Sequence, residues 1–477
     1  MPITPTITIQ DLLQRYLPLF IDKAKPTQLG GFDYAIAQMA KNAILQGTPG
    51  ISKFVKRFEL LARDHTDISG TGNSGLVEAI AKIQAKKDTG AKLSAEDHLF
   101  LEMPDFLLEI NRLQDEENRK VTMQERRLLD SSQASKYATH TNAYTSEDLV
   151  QYFVTMKQFL PTPPTPSPIS VTLFNDRRVI SIAYDPVGNG YQVFDPRSSY
   201  QEFINVDMLH NPVSLVKKIQ LAMLMSTNID NSRMMLVSQV CGLEQHRSEI
   251  MNKIINPWHA TPDMVRITQI STEKAKLTSP IGSLLHLAAY AGDDKTVISL
   301  LQAGADPNVV EPDSHRTPLH LAAQSSEDQP SVITILLAHP TTNPNPVTSS
   351  TSNSYAPIHY AAQYGHDKSL QAFLANTRVN GHAHDQNGNS ILHLAAEAGQ
   401  AKVLTTLLRH PDMDVIAFIA GGNVSGNTAL HVAAKNGHVH IVQILLSDGR
   451  IDIYAPNSYN ARLILRGLRS KMKRSSM

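Results

Sequence analysis

Thr317-Pro318-Leu319-His320-Leu321-Ala322-Ala323 decides the fold of the C-terminal part of this chain, because it recurs. Close copies stand at Ser283-Leu284-Leu285-His286-Leu287-Ala288-Ala289, Ala356-Pro357-Ile358-His359-Tyr360-Ala361-Ala362, Ser390-Ile391-Leu392-His393-Leu394-Ala395-Ala396 and Thr428-Ala429-Leu430-His431-Val432-Ala433-Ala434. The five histidines are 34, 39, 34 and 38 residues apart. Self-similarity at a steady period marks a solenoid of stacked supersecondary units. Each residue type has a task. Ser or Thr caps a first helix, Pro fits its first turn, and the Ala-Ala pair lets that helix approach a second one closely. The second helix carries its own apolar pairs, as in Val297-Ile298-Ser299-Leu300-Leu301 and Val442-Gln443-Ile444-Leu445-Leu446, and Gly304 and Asp306 open a projecting hairpin. With one histidine per unit at one structural position, the histidines are expected to tie down backbone between neighbours. No metal site is expected from them.

The motif and its period, about 33 residues, identify residues 280–457 as five ankyrin repeats with two insertions. The resemblance implies a scaffold that holds another protein through its hairpin loops. Insertions in a solenoid map to loops on one face. The first, Pro340 to Ser354, is polar and extends a hairpin, which makes Asn343, Asn345 and Asn353 candidate partner contacts. The second, Ala417 to Ser425, sets Phe418 and Ile419 beside glycines. Those two either anchor a partner or pack inward on the next repeat. Asn308, in Gly304-Ala305-Asp306-Pro307-Asn308, resembles the ankyrin loop asparagine that host dioxygenases hydroxylate, and it is also a residue that stabilises such a turn.

The chain has 477 residues, too many for one hydrophobic core. Lys plus Arg and Asp plus Glu number 44 each, so no overall field draws it to nucleic acid or anionic lipid, and no recognised nucleic-acid reader motif is present. No apolar run approaches a membrane span, and the N-terminus lacks the cationic and apolar regions of a cleaved signal. Cys241 is the single cysteine, which excludes an internal disulfide and points to a reducing compartment or to a route that does not need oxidative folding. With His246 or His210 it could serve as nucleophile and base; at the end of an apolar helix it reads as a small buried hydrophobe. No cofactor is expected, and the molecule is expected to be a monomer.

Upstream, residues 1–160 read as mostly helical, with amphipathic stretches at Ile9–Phe20, Asp33–Gln46, Ile51–Arg63, Gly75–Lys86 and Ala95–Leu113 and a solvated helix at Gln114–Arg127. Pro161 to Pro168 is a polyproline break. Ile169–Phe174, Val179–Tyr184 and Tyr191–Phe194 then alternate as strands, and residues 212–256 return to helix. The expected class is an α+β domain, helices plus a short antiparallel sheet, followed by an all-α solenoid. The division is 1–160 and 161–256 as two parts of one domain, 257–279 as connector, 280–457 as the repeats and 458–477 as a basic tail.

This order resembles the papain-like cysteine protease domains of secreted bacterial effectors. In that pattern a helix opens with Gly-x-Cys-x-Gly, a strand starts with His, and the next strand ends in Asp-Pro. Here Gly31-Phe32-Asp33-Tyr34-Ala35 resembles the first motif, Arg178-Val179-Ile180 the second and Phe194-Asp195-Pro196 the third. By that resemblance Asp33 stands for the nucleophile, Arg178 for the base and Asp195 for its orienting acid. A carboxylate beside a guanidinium does not reproduce a thiolate activated by imidazole. The three are thus expected to line a pocket that binds without cutting; in a simpler reading Asp33 and Asp195 only cap a helix and a turn. A divergent hydrolase or transferase that uses the repeats to recruit substrate is the competing function. The chain also resembles the ankyrin effectors that Legionella injects into host cells, which implies type IV secretion and action on a host protein in host cytoplasm. Lys471-Met472-Lys473-Arg474 reads as a nuclear import signal or as a common basic run.

Overall fold

The computed structural model describes residues 12–13, 33–66, 75–107, 134–160, 169–175, 178–185, 189–198, 208–224, 234–279, 282–312, 314–325, 327–348, 354–410 and 422–448. The chain divides into two compact units. The first comprises residues 1–118 and 132–269, the second residues 119–131 and 270–477.

The first unit is built on a five-stranded antiparallel sheet of β1 (Ala134–Tyr144), β2 (Ser170–Phe174), β3 (Val179–Asp185), β4 (Gly190–Phe194) and β5 (Met234–Leu243), in the order β1-β5-β2-β3-β4. Helices α1 (Asp33–Leu45), α2 (Gly47–Thr66), α3 (Gly75–Asp88) and α4 (Ala95–Leu101) precede it; α5 (Ser146–Phe159) follows β1 and α6 (Pro212–Leu224) follows β4. The strand alternation divides the interior. Val171, Leu173, Ile180, Ile182, Val193, Leu236 and Val240 share a core with Phe153, Met156, Leu215 and Ile219 of α5 and α6. Ala183 and Phe194 instead join Ile36, Ala40, Phe54 and Phe58 of α1 and α2. Neighbouring side chains on a strand point to opposite faces, so the sheet is covered on both sides by helices.

Two strands depart from the sequence reading. Met234–Leu243 and Ala134–Tyr144 fall in stretches read as helix, yet they pair with each other as β5 and β1. β5 is apolar on both faces because both are covered, and a short doubly buried strand cannot be told from a buried helix by periodicity. Cys241 therefore lies within a strand, 4% exposed, rather than at a helix end. The helix read over Ala95–Leu113 is interrupted at Glu102, which accepts from Lys53 at 3.1 Å and Arg57 at 2.6 Å, and resumes over residues 103–107, beyond which lie residues outside the description. The stretch read as a connector is divided. Trp258 (0% exposed) and Met264 and Ile267 of α7 (Pro262–Thr268) belong to the first unit's core, and the Trp258 indole N–H donates to Thr155 Oγ1 at 3.2 Å. Gln114–Arg127, the polyproline segment and the basic tail lie outside the described residues, as does Ile9–Phe20 apart from Leu12 and Leu13.

The second unit is a double row of helices. The inner row is α8 (Leu284–Ala291), α10 (Pro318–Gln324), α12 (Pro357–Tyr364), α14 (Ile391–Glu397) and α16 (Ala429–Asn436), given the outer row α9 (Asp294–Gln302), α11 (Pro330–Ala338), α13 (Asp367–Leu374), α15 (Ala401–Arg409) and α17 (Val439–Ser447). The paired alanines of every inner helix are 0–3% exposed. Four of the five motif histidines, His286, His320, His359 and His393, tie neighbouring repeats as the sequence suggested, while His431 holds only its own N-cap. Each Nδ1 accepts from the backbone N–H three residues earlier, at 2.9–3.4 Å. The opposite nitrogen donates forward: His286 to Arg316 O, His320 to Tyr355 O and His359 to Ala383 O, each at 3.0 Å, and His393 to Asn427 O at 2.8 Å. A second set points backward, from His366 to Ser325 O (2.8 Å), Gln400 to Gln363 O (3.0 Å) and His438 to Glu397 O (2.9 Å). Asp328 stitches the outer row by accepting the Lys368 and Ser369 N–H groups, both at 2.9 Å, which lie in the first turn of α13.

Candidate functional site

The first candidate lies at one end of the sheet. Ser181 opposes Phe194 in the β3–β4 register, so the start of β3 and the end of β4 are neighbours. The Ser181 hydroxyl donates to Ala37 O at 2.8 Å, which brings the first part of α1 to the same end. The topology therefore gathers the N-terminus of α1, where Asp33 stands, with Arg178 just before β3 and Asp195 just after β4. Of Asp33 only the backbone is described, as the first residue of α1.

Arg178 is 7% exposed, and its N–H donates to Asn175 Oδ1 at 2.8 Å. Asp195 accepts from Arg197 N–H at 3.0 Å, the geometry of a turn cap. Burial pushes its carboxyl above the usual range, against the pull of the Arg197 N–H and the charges of Arg178, Lys218 and Arg197. A guanidinium stays protonated at any working pH, so Arg178 cannot take a proton from a nucleophile. What this end offers is fixed charge, suited to holding a polar group. Cys241 sits in β5 beside Ser170 of β2, and His246 in the turn that follows β5.

The second candidate is the exposed surface of the repeats. The hairpins are joined by asparagines. Asn308 donates through Nδ2 to Thr341 O at 2.8 Å and accepts from Asn343 N–H at 2.7 Å; one repeat on, Asn345 donates to Arg378 O at 2.8 Å and accepts from Asn380 N–H at 2.7 Å. Asn343 caps its own turn by accepting from Asn345 N–H at 3.0 Å. The amides of Asn308 and Asn345 are thus occupied between adjacent hairpins, and a partner that used them would first have to break these bonds. The signal was present in the sequence, since Asn308, Asn345 and Asn380 recur with the repeat. Asn353, Phe418 and Ile419 lie outside the described residues. Hairpin surface that does face solvent includes Val310, Val347 and Val424, at 47%, 61% and 78% exposure.

The inner helices carry a cluster that the sequence reading missed. Following the motif histidine, four repeats have Leu287, Leu321, Leu394 or Val432, and the third has Tyr360. Tyr360 meets Tyr355 edge to face (5.4 Å between centroids, 86°), lies 6.4 Å from Tyr364 and 5.8 Å from His320. Tyr364 stacks on His366 at 6.1 Å and 8°. Arg316 completes the cluster from the neighbouring hairpin. Its Nε pairs with Glu311 at 2.6 Å, its Nη1 donates to Gln324 Oε1 at 2.6 Å, and Gln324 in turn donates to the Tyr364 hydroxyl at 3.4 Å. Burial raises the Tyr360 hydroxyl pKa while the Arg316 charge opposes it; Tyr355 is raised by burial and by Asp385 and Glu397. The cluster thus lies between a cation on the second repeat and carboxylates on the third and fourth. Comparing the repeats with one another would have found it, because each repeat is a control for the others.

Comparison with known proteins gives a family match in this second unit. A family model described as ankyrin repeats (3 copies) matches residues 285–381 and 358–457. Alpha-latrotoxin-Lg1a of Latrodectus geometricus is similar over 180 residues at 25% identity, which is 36% of this chain but 13% of that protein's length. The chain therefore spans about an eighth of this relative. Residues 285–457 are ankyrin repeats, the kind of array that binds other proteins.

Proposed function

We propose that the chain is a translocated bacterial effector that holds a host protein on its ankyrin array, with an upstream domain of cysteine-protease-like descent that no longer cuts. The observation that carries the binding reading is the contrast inside the array. Backbone-tying histidines repeat from unit to unit, while the position four residues after each carries four residue types, Tyr290, Gln324 and Gln363, Glu397 and Lys435. Uniform scaffold with varied surface is what a recognition array needs. The protease-like part of the proposal is supported by the convergence of the α1 N-terminus, Arg178 and Asp195 at one sheet end, and the loss of cutting by the residue types there. Secretion, action in host cytoplasm and nuclear entry through Lys471–Arg474 rest on the resemblance to injected ankyrin effectors and on the tail sequence.

Affinity capture from host-cell lysate tests the reading. Val310→Asp with Val347→Asp alters exposed hairpin surface, and Arg178→Ala with Asp195→Ala alters the sheet end. Loss of a specific partner with the first pair alone supports the array as the working surface. Loss with the second pair alone, in a folded protein, makes the upstream domain the working part and favours an enzyme fed by the repeats.

A further inference from the structure

We infer that the inner face of the second to fourth repeats takes an extended peptide segment carrying a carboxylate, then an apolar side chain, then a cation; this rests on the array being the binding surface. Three observations define the segment. Tyr355, Tyr360 and Tyr364 form one contiguous ring cluster, with Tyr360 and Tyr364 partly open to solvent. Rigid aromatics with a neighbouring arginine make the strongest anchors in protein interfaces, because they offer large contact area at little entropic cost. An apolar side chain belongs over these rings.

The second observation is charge. Arg316 is held in place by Glu311 and Gln324, but its side chain is 28% exposed against 8% for Glu311. The pair therefore presents its positive member to solvent, and a carboxylate fits there, within reach of the Tyr364 hydroxyl that Gln324 contacts. On the other flank Glu397 lies partly exposed on α14, and its field and that of the buried Asp385 both reach Tyr355. A cation fits on that side. Opposite charges at the two ends fix the direction of the bound segment, which is what complementary interface charges do best.

The third is spacing. Gln324 and Glu397 lie on α10 and α14, two helix steps apart in the inner row. With about 8–10 Å between packed helix axes and about 3.3 Å per extended residue, the carboxylate and the cation should be roughly five or six residues apart. The apolar anchor falls midway.

The test is selection of random dodecapeptides displayed on phage against the full-length protein, followed by titration of the winning peptides. Peptides with Asp or Glu and Lys or Arg at this spacing around an apolar residue are expected. Their affinity should fall at least tenfold with Tyr360→Leu, which installs the residue found at this place in sister repeats, and with Glu397→Lys. Exchanging the peptide's lysine for glutamate should restore binding to the Glu397→Lys protein. Winners without the charge pattern, or indifferent to both substitutions yet displaced by Val310→Asp with Val347→Asp, overturn this inference and leave the array reading standing. Winners indifferent to every ankyrin substitution overturn both. Circular dichroism of each variant separates lost contact from lost fold.

Discussion

The motif histidine shows how one side chain can hold two repeats. His320 occupies both ring nitrogens with backbone: it gives the buried Thr317 N–H of its own N-cap a partner, and it adds a second donor to the Tyr355 carbonyl that the Thr348 N–H already meets. Leaving such a group unsatisfied costs about 1–3 kcal/mol. His320→Ala strands the Thr317 N–H and takes one of two donors from the Tyr355 carbonyl, which keeps the Thr348 N–H at 3.1 Å, and a loss of about 1–3 kcal/mol in urea unfolding is expected. A loss under about 1 kcal/mol would mean that the bonds are replaceable. The third repeat is the exception within the pattern. Ala356 holds the N-cap place in extended backbone, where its siblings have Ser or Thr, and so has no hydroxyl for the histidine. Ala356→Thr restores the cap found at Thr317 and should stabilise the protein by about 1 kcal/mol, read as a raised denaturation midpoint at unchanged slope.

Elements were readable where their cause is local. The five inner helices announce themselves through cap, proline, histidine and alanine pair, all within one turn or two. β1 and β5 did not, because a strand is fixed by its partners. Ala134–Tyr144 has no clean alternation, and its Asn142 is buried to donate to Ile267 O at 2.7 Å, a contact 125 residues away. Arg178 and Asp195 came from the resemblance to protease motifs; what alternation made legible is the pair of strands they flank, β3 and β4. The tyrosine cluster was missed because the repeats were read for what they share: Tyr355, Tyr360 and Tyr364 all lie in the third repeat, and Arg316 and Gln324 reach them from the second. The hairpin asparagines were assigned to a partner because the sequence does not show the next hairpin beside them. Asn345→Ala removes two bonds between the second and third hairpins, so amide exchange at Asn380 should quicken at least tenfold with little effect on peptide affinity. If exchange is unchanged and affinity falls, Asn345 is a contact residue after all.

At the scale of the whole array, stitching through neutral histidines makes stability depend on pH. Burial holds His286, His320, His359, His393 and His431 below the ordinary value of 6.5, to about 4 for His320. In the unfolded chain these imidazoles titrate near 6.5, so between the two values the unfolded state binds more protons than the folded one. Stability is therefore fully present above about pH 6.5 and is lost as pH falls towards 4. His320, the imidazole that burial pushes down to about 4, contributes on the order of 3 kcal/mol of that loss. Because each repeat touches only its neighbours, the loss at one site propagates along the stack rather than staying local. Hydrogen exchange across residues 284–447 should accelerate together between pH 6 and 4.5, after correction for the intrinsic pH dependence of exchange. His320→Gln should flatten that profile even if it lowers stability at pH 7. An array whose protection is constant over this range would mean that the histidines hold their bonds while charged, and the neutral-tautomer assignment would have to be given up.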